Sequence, residues 1–146
     1  MSDPPTSDER IGLDLPADAR HAATARVLVA SLAADAGFSV DEIDDLRLAL
    51  NEAVALLVDD GDGEQLGDVT MIGTEAGDRV EIELRITPGT MTIEIRRREA
   101  VAVPEIDELA DRILAAVVDS HVLGPGLVRL HKAAIPTGAP GTRPTR

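Results

Sequence analysis

Aromatic residues are almost missing from this chain: 146 residues contain one Phe, no Trp and no Tyr. Stacking of bases on aromatic rings is therefore nearly unavailable, which argues against single-stranded nucleic acid as a ligand. A basic surplus is missing too. Twenty-seven Asp and Glu face fourteen Lys and Arg, a net charge of −13, whereas a phosphate backbone requires a basic surface. An acidic domain more naturally meets a basic protein. Cysteine is absent, which excludes disulfides, thiol catalysis and Cys-ligated zinc. No apolar run approaches the ~20 residues of a membrane span, and MSDPPTSDER lacks the basic and apolar regions of a signal peptide. The expected location is the cytoplasm.

What is present suffices for one core. Hydrophobic residues make up 44%, and the length suits a single domain. Residues 1–9 are polar and Pro-rich and are expected to be disordered; residues 10–135 form the domain, and 136–146 a loose tail. Ile11-Gly12-Leu13-Asp14-Leu15 alternates apolar and polar, as an edge strand does, and Pro16 ends it. From Asp18 to Ala36 the apolar spacing predicts a helix closed by Gly37. Ser39 and Glu42 form an S-x-x-E capping box opening a second helix that runs to Val58.

Three strands are predicted next: Val69–Gly73, Val80–Ile86 and Met91–Arg96, the last two a hairpin around Thr87-Pro88-Gly89-Thr90. A third helix is predicted over Pro104–Asp119, with proline in its first turn, and Leu127–Ala134 reads as the final strand. This order predicts an α/β (α+β) two-layer sandwich, a mixed, mostly antiparallel sheet with helices on one face.

The run LDLPADARHAATARVLVASLAADAGFSVDEIDDLRLALNEAVALLV resembles the N-terminal half of RsbW-type anti-sigma factors, within the histidine-kinase-like (GHKL, Bergerat-fold) ATPase superfamily. The shared features are the L-P-A-D entry, the long first helix, the G-F break and the D-L-R-L-A-x-x-E-A helix. VVDSHVLGPGLVRLHKA resembles the family's closing segment, so the likeness covers Arg10–Val58 and Val117–Ala134.

In the family, an E-x-x-x-N box on the second helix supplies a general base and an Asn ligand for Mg²⁺, a hard cation that takes oxygen donors. Here the Glu is Glu52, but Leu56 stands at the Asn position, and Asn51 lies about 100° away around the helix. The family's D-x-G-x-G motif holds adenine at the end of the strand read here as MTIEIR, where this chain has Arg96-Arg97-Arg98-Glu99-Ala100-Val101. A literal match, Asp59, Gly61 and Gly63 of DDGDGE, falls directly after the second helix, the wrong context for an adenine site, and reads as an acidic turn. As a calcium loop DDGDGE lacks the glycine at position 6. The glycine-rich lid is replaced by AVPEIDELADR, whose Glu105, Asp107 and Glu108 would repel phosphate at a helix N-terminus.

The resemblance thus implies the scaffold of a kinase without its pocket, and no bound cofactor; were this wrong, ATP and Mg²⁺ would be the cofactors. The function expected is anti-sigma-like regulation by protein binding, the partner being a sigma factor or a STAS-type antagonist, and the state a homodimer. Asp41, Glu42, Asp44 and Asp45 are the candidate partner contacts. The alternatives are an active serine kinase that phosphorylates an antagonist, and a dimerisation or scaffold domain without a sigma partner. Of the remaining polar groups, Ser2, Thr6 and Ser7 could accept phosphate in the tail. His21, His121 and His131 show no ligand spacing, and Arg96–Arg98 reads as a solvated strand end.

Overall fold

The computed structural model describes residues 8–58, 77–100 and 102–136. The DDGDGE stretch, the predicted Val69–Gly73 strand, the first seven residues and the tail from 137 lie outside the described residues. Five strands are ordered β1-β2-β3-β5-β4: β1 (Glu9–Pro16), β2 (Arg79–Thr87), β3 (Thr90–Arg97), β4 (Ser120–Gly124) and β5 (Leu127–Ala133). Every neighbouring pair is antiparallel, so the described sheet contains no parallel pair where a mixed one was expected. Among the described residues there are three α-helices, α1 (Ala22–Asp35), α2 (Val40–Val58) and α3 (Glu108–Val117).

Strand parity decides which face is covered. Val80, Ile82, Leu84 and Ile86 of β2, and Met91, Ile93 and Ile95 of β3, are buried, while the residues between them are not. α2 packs over β3 and β5, with α1 and α3 against its flanks. Among the described residues no helix covers the opposite face, which is dressed with charge pairs such as Glu94 with Arg129 at 2.8 Å. Among the described residues no helix is long and apolar enough to cross a membrane.

The capping box forms as its spacing predicts. Ser39 N–H donates to Glu42 Oε1 at 2.8 Å and Glu42 N–H to Ser39 Oγ at 3.2 Å. The first helix opens later than predicted: Asp18 caps a single 3₁₀ turn over Ala19–His21 before α1 begins. The third helix is shorter than the predicted Pro104–Asp119. Asp107 is its N-cap, accepting from Ala110 N–H at 2.7 Å, so Pro104 belongs to an extended lead-in. The capping carboxylate of Asp107 outcompetes the proline as the start signal. Ser120–Gly124, for which the sequence pattern predicts no element, forms β4. It is a five-residue edge strand whose alternate side chains are only half-buried, which leaves little period-2 contrast to detect.

Candidate functional site

Glu52 and Leu56 lie one helical turn apart on α2, facing the lead-in to α3. Together with Ala55, Glu105, Ile106, Asp107 and Ala110 they line an open cleft of about 410 Å³. Leu56 packs against the core, and Glu52 stands half-exposed at the rim. Among the described residues the lining holds three carboxylates and no cation. One of the three, Asp107, already caps α3. Among the described residues no group of three His, Asp or Glu could hold a metal ion.

The arginine triplet at the end of β3 divides by parity. Arg96 and Arg98 lie on the helix-free face. Arg96 pairs with Glu94 at 2.9 Å, and Arg98 with Glu81 and, at 3.8 Å, Asp14. Arg97 turns toward the helices. Its Nε donates to Asp78 Oδ2 at 2.5 Å and its guanidinium also donates to the Leu57 carbonyl at 2.6 Å. A cation thus ties the last turn of α2 to the start of β2. Its favourable position at a helix C-terminus adds the attraction of the helix dipole. Alternation along β3 (Met91, Ile93, Ile95, then residue 97) was the signal that could have placed this side chain inward.

A family model for the histidine kinase-like ATPase domain matches residues 15–116. The chain belongs to that family. Similar proteins include the serine-protein kinase RsbW of Bacillus cereus strain B4264, 34% identical over 74 residues, which is 51% of this chain and 46% of that protein. The serine-protein kinase RsbW of Listeria monocytogenes strain EGD-e is 30% identical over 95 residues, 64% of this chain and 60% of that protein. The chain therefore spans about half the length of the Bacillus relative it matches.

In a histidine kinase-like ATPase this cleft is where Mg-ATP is expected, and the described residues do not fit it. Leu56 offers hydrocarbon where an oxygen ligand is needed. The approach to α3 carries the carboxylates of Glu105 and Asp107, and Asp107 already occupies the Ala110 N–H. At the end of β3, Arg97 is engaged with Leu57 and Asp78 where an adenine-binding Asp would stand. The literal D-x-G-x-G residues Asp59, Gly61 and Gly63 fall outside the described residues.

The four acids at the start of α2 separate. Asp41 and Asp44 are exposed, Asp44 with Arg47 at 3.5 Å, and Asp45 lies 3.6 Å from the Lys132 ammonium. Glu42 is not a surface contact as expected. It is buried, with 6% of its surface exposed, because both its oxygens are consumed internally: Oε1 by Ser39 N–H and Oε2 by Ile135 N–H at 2.7 Å. The capping box draws its side chain back over the helix end, where the chain leaving β5 supplies the second donor.

Replacing Arg97 with leucine leaves Asp78 and the Leu57 carbonyl without this donor in a half-buried setting. We expect a loss of about 1–2 kcal/mol, measurable as a lower urea midpoint at unchanged m-value.

Proposed function

We propose that the chain is an anti-sigma-factor-like regulator that acts by binding protein, with a sigma factor or STAS-type antagonist as partner, and that it has lost ATP handling and kinase activity. The observation that supports this reading is the cleft itself: Leu56 stands where the family pattern expects the Mg²⁺-binding Asn, and Glu105 and Asp107 line the wall at which a triphosphate is expected. Negative charge held this close repels phosphate, and among the described residues no cation lines the cleft to offset it.

α1 supports the protein-binding half. Between Ala22 and Asp35 its only charged residue before the end is Arg26, and Ala23, Val27 and Ala34 face solvent, Val27 at 70% exposure. An exposed valine on the solvent side of a helix with so few charges suits a contact surface. Beside it, α2 presents Leu48 between Asp44, Arg47 and Asn51, the last held by Arg26 at 2.8 Å. This mixed apolar and charged surface suits a protein partner better than a small ligand. A homodimer belongs to the same reading. The rival reading, a serine kinase, draws its support from the name of the Bacillus and Listeria relatives.

Calorimetric titration of ATP, with and without Mg²⁺, separates the two. We expect no binding heat up to millimolar nucleotide. Micromolar binding that depends on Mg²⁺ would restore the kinase reading.

A further inference from the structure

β1 pairs with β2 over all eight of its residues in one uninterrupted register, Glu9 with Ile86 through Pro16 with Arg79. One residue further, Ala17 N–H donates to the Asp78 carbonyl at 2.9 Å. Bonded positions of an antiparallel ladder recur at every second residue, so Leu15, Leu13, Ile11 and Glu9 turn their backbone groups toward β2. Arg10, Gly12 and Asp14 turn theirs away, and no described strand lies beyond to meet them. The Asp14 carbonyl accepts from the Arg79 guanidinium at 3.3 Å, and the Pro16 carbonyl from Asp18 N–H at 2.8 Å. The N–H groups of Arg10, Gly12 and Asp14, and the carbonyls of Arg10 and Gly12, have no partner among the described residues. Such edges are normally blunted by lysine, an internal proline, a bulge or a covering element. β1 has no lysine and no bulge, and its proline stands only at the last position.

The side chains of this edge are unsatisfied on both faces. On the helix side Ile11, Leu13 and Leu15 are only partly buried against the core. At one end of that side Glu9 joins Asp8, Asp35, Leu32 and Ala36 around a cleft of about 440 Å³, whose described lining contains no cation. On the face that no described helix covers, Arg10 stands directly opposite Arg85, a like-charge pair that costs stability. Among the described residues neither has a carboxylate partner, whereas Arg79, Arg96, Arg98 and Arg129 on the same face each have one. Glu83 lies two residues from Arg85 and forms no ion pair with either arginine. No side chain projects from Gly12, and the space above it is open.

We infer that β1 takes an extended segment of a different protein as an added strand, paired antiparallel to it. The side chains of β1 determine what that segment carries. Apolar residues oppose Ile11, Leu13 and Leu15, an acid opposes Arg10, a base opposes Glu9, and a bulky residue covers Gly12. Main-chain bonds to Arg10, Gly12 and Asp14 give affinity whatever the sequence, and the alternating side chains give selectivity. The acid contributes most to that selectivity, because it offsets the repulsion between Arg10 and Arg85. β1 shares no residue with the cleft beside Glu52, so the inference stands or falls separately from the loss of ATP handling.

The probe is the heptapeptide VTVYVEK, acetylated and amidated, which follows this pattern from a valine opposite Leu15 to a lysine opposite Glu9. VTVYVKE, of identical composition, sets lysine against Arg10 and glutamate against Glu9. Each is titrated into the full chain and followed by amide NMR. VTVYVEK is expected to saturate below millimolar concentration, and VTVYVKE to bind about tenfold more weakly. At saturation, amide exchange should slow at Arg10, Gly12 and Asp14 and stay unchanged at Ile11 and Leu13, which β2 already protects. In Arg10→Glu the two peptides should bind alike, because each then makes one favourable pair and one unfavourable pair. No binding of VTVYVEK at millimolar concentration, or equal binding of the two peptides to the wild type, overturns the inference. So does a preference that survives in Arg10→Glu, or protection that does not alternate along β1. Protection of Arg10, Gly12 and Asp14 that rises with protein concentration alone overturns it too, since a second copy would then hold the edge.

Discussion

Substituting Gly126 with alanine is expected to cost about 3 kcal/mol, the sum of a left-handed backbone penalty of roughly 1–2 kcal/mol and an overpacking penalty of similar size. Gly126 has φ +60, and a Cβ built on it would lie 2.4 Å from the Ala100 carbonyl oxygen and 3.1 Å from that of Arg97. Both neighbours are backbone, so neither can swing aside as a flexible side chain would. The position is also bonded on both sides: Gly126 N–H donates to the Ala102 carbonyl at 2.8 Å, and its own carbonyl accepts from Arg97 N–H at 2.9 Å. Thermal unfolding should fall by roughly 10 °C for a chain of this size. Gly89 provides the control. Its φ is +83, but nothing lies within 4 Å of the added Cβ, so Gly89→Ala should carry only the backbone penalty, about 1–2 kcal/mol. Equal losses at the two glycines would show that the close approach to Ala100 contributes nothing.

The consequence reaches the cleft. The stretch from Arg97 through Ala102 that Gly126 holds down continues into Glu105, Ile106 and Asp107, one wall of the cleft beside Glu52. In the sequence Gly124-Pro125-Gly126 reads as a turn, and a turn it is, between β4 and β5. What the sequence does not reveal is that its second glycine serves a different strand as well.

That distinction runs through the whole chain. Local signals were legible: the Ser39–Glu42 box, the β2–β3 hairpin and the edge position of β1 all follow from spacings within a few residues. The α2 face that carries Glu52 and Leu56 was legible for the same reason, since a spacing of four places both side chains along one line of a helix. Features set by distant residues were not. Arg97 reads as one of three surface arginines until Leu57, forty residues earlier, presents its carbonyl. β4 becomes a strand only because β5 is beside it, its own residues having too little contrast. Asp107 displaced Pro104 as the start of α3 because a side chain reaching the Ala110 N–H is worth more than a favourable proline. Glu42 combines both kinds: one oxygen belongs to a local motif, and the other to Ile135, ninety-three residues away.

Glu42 is therefore where the second large effect is expected. Removing its carboxylate with Glu42→Ala leaves the Ser39 and Ile135 N–H groups without their acceptor in a part-buried setting, and takes half the capping box with them. Together these should cost about 2–3 kcal/mol. Glu42→Gln keeps the volume and one acceptor oxygen but turns an NH₂ group toward the other donor, so it should recover less than half of the loss. The same contacts fix the pH dependence. The Ser39 N–H, then the Ile135 N–H, hold the Glu42 carboxyl below its usual range. Burial opposes them, and the Ser39 hydroxyl and the Lys132 ammonium assist. A carboxyl whose folded pKa lies below its unfolded value contributes stability that is complete above the unfolded value. That contribution drains away as pH falls through the folded one. Wild type and Glu42→Gln should consequently differ most at neutral pH and converge in acid, measured as urea midpoints across the carboxylate range. A gap that persists unchanged into acid would mean that the side chain contributes by packing, not by its charge. The Lys132 ammonium, which donates to the Val117 carbonyl at 2.8 Å and lies near Asp45, stays anchored in either variant. The loss should therefore concentrate where Glu42 fastens the chain leaving β5 to the start of α2, the segment that opens the helix carrying Glu52 and Leu56.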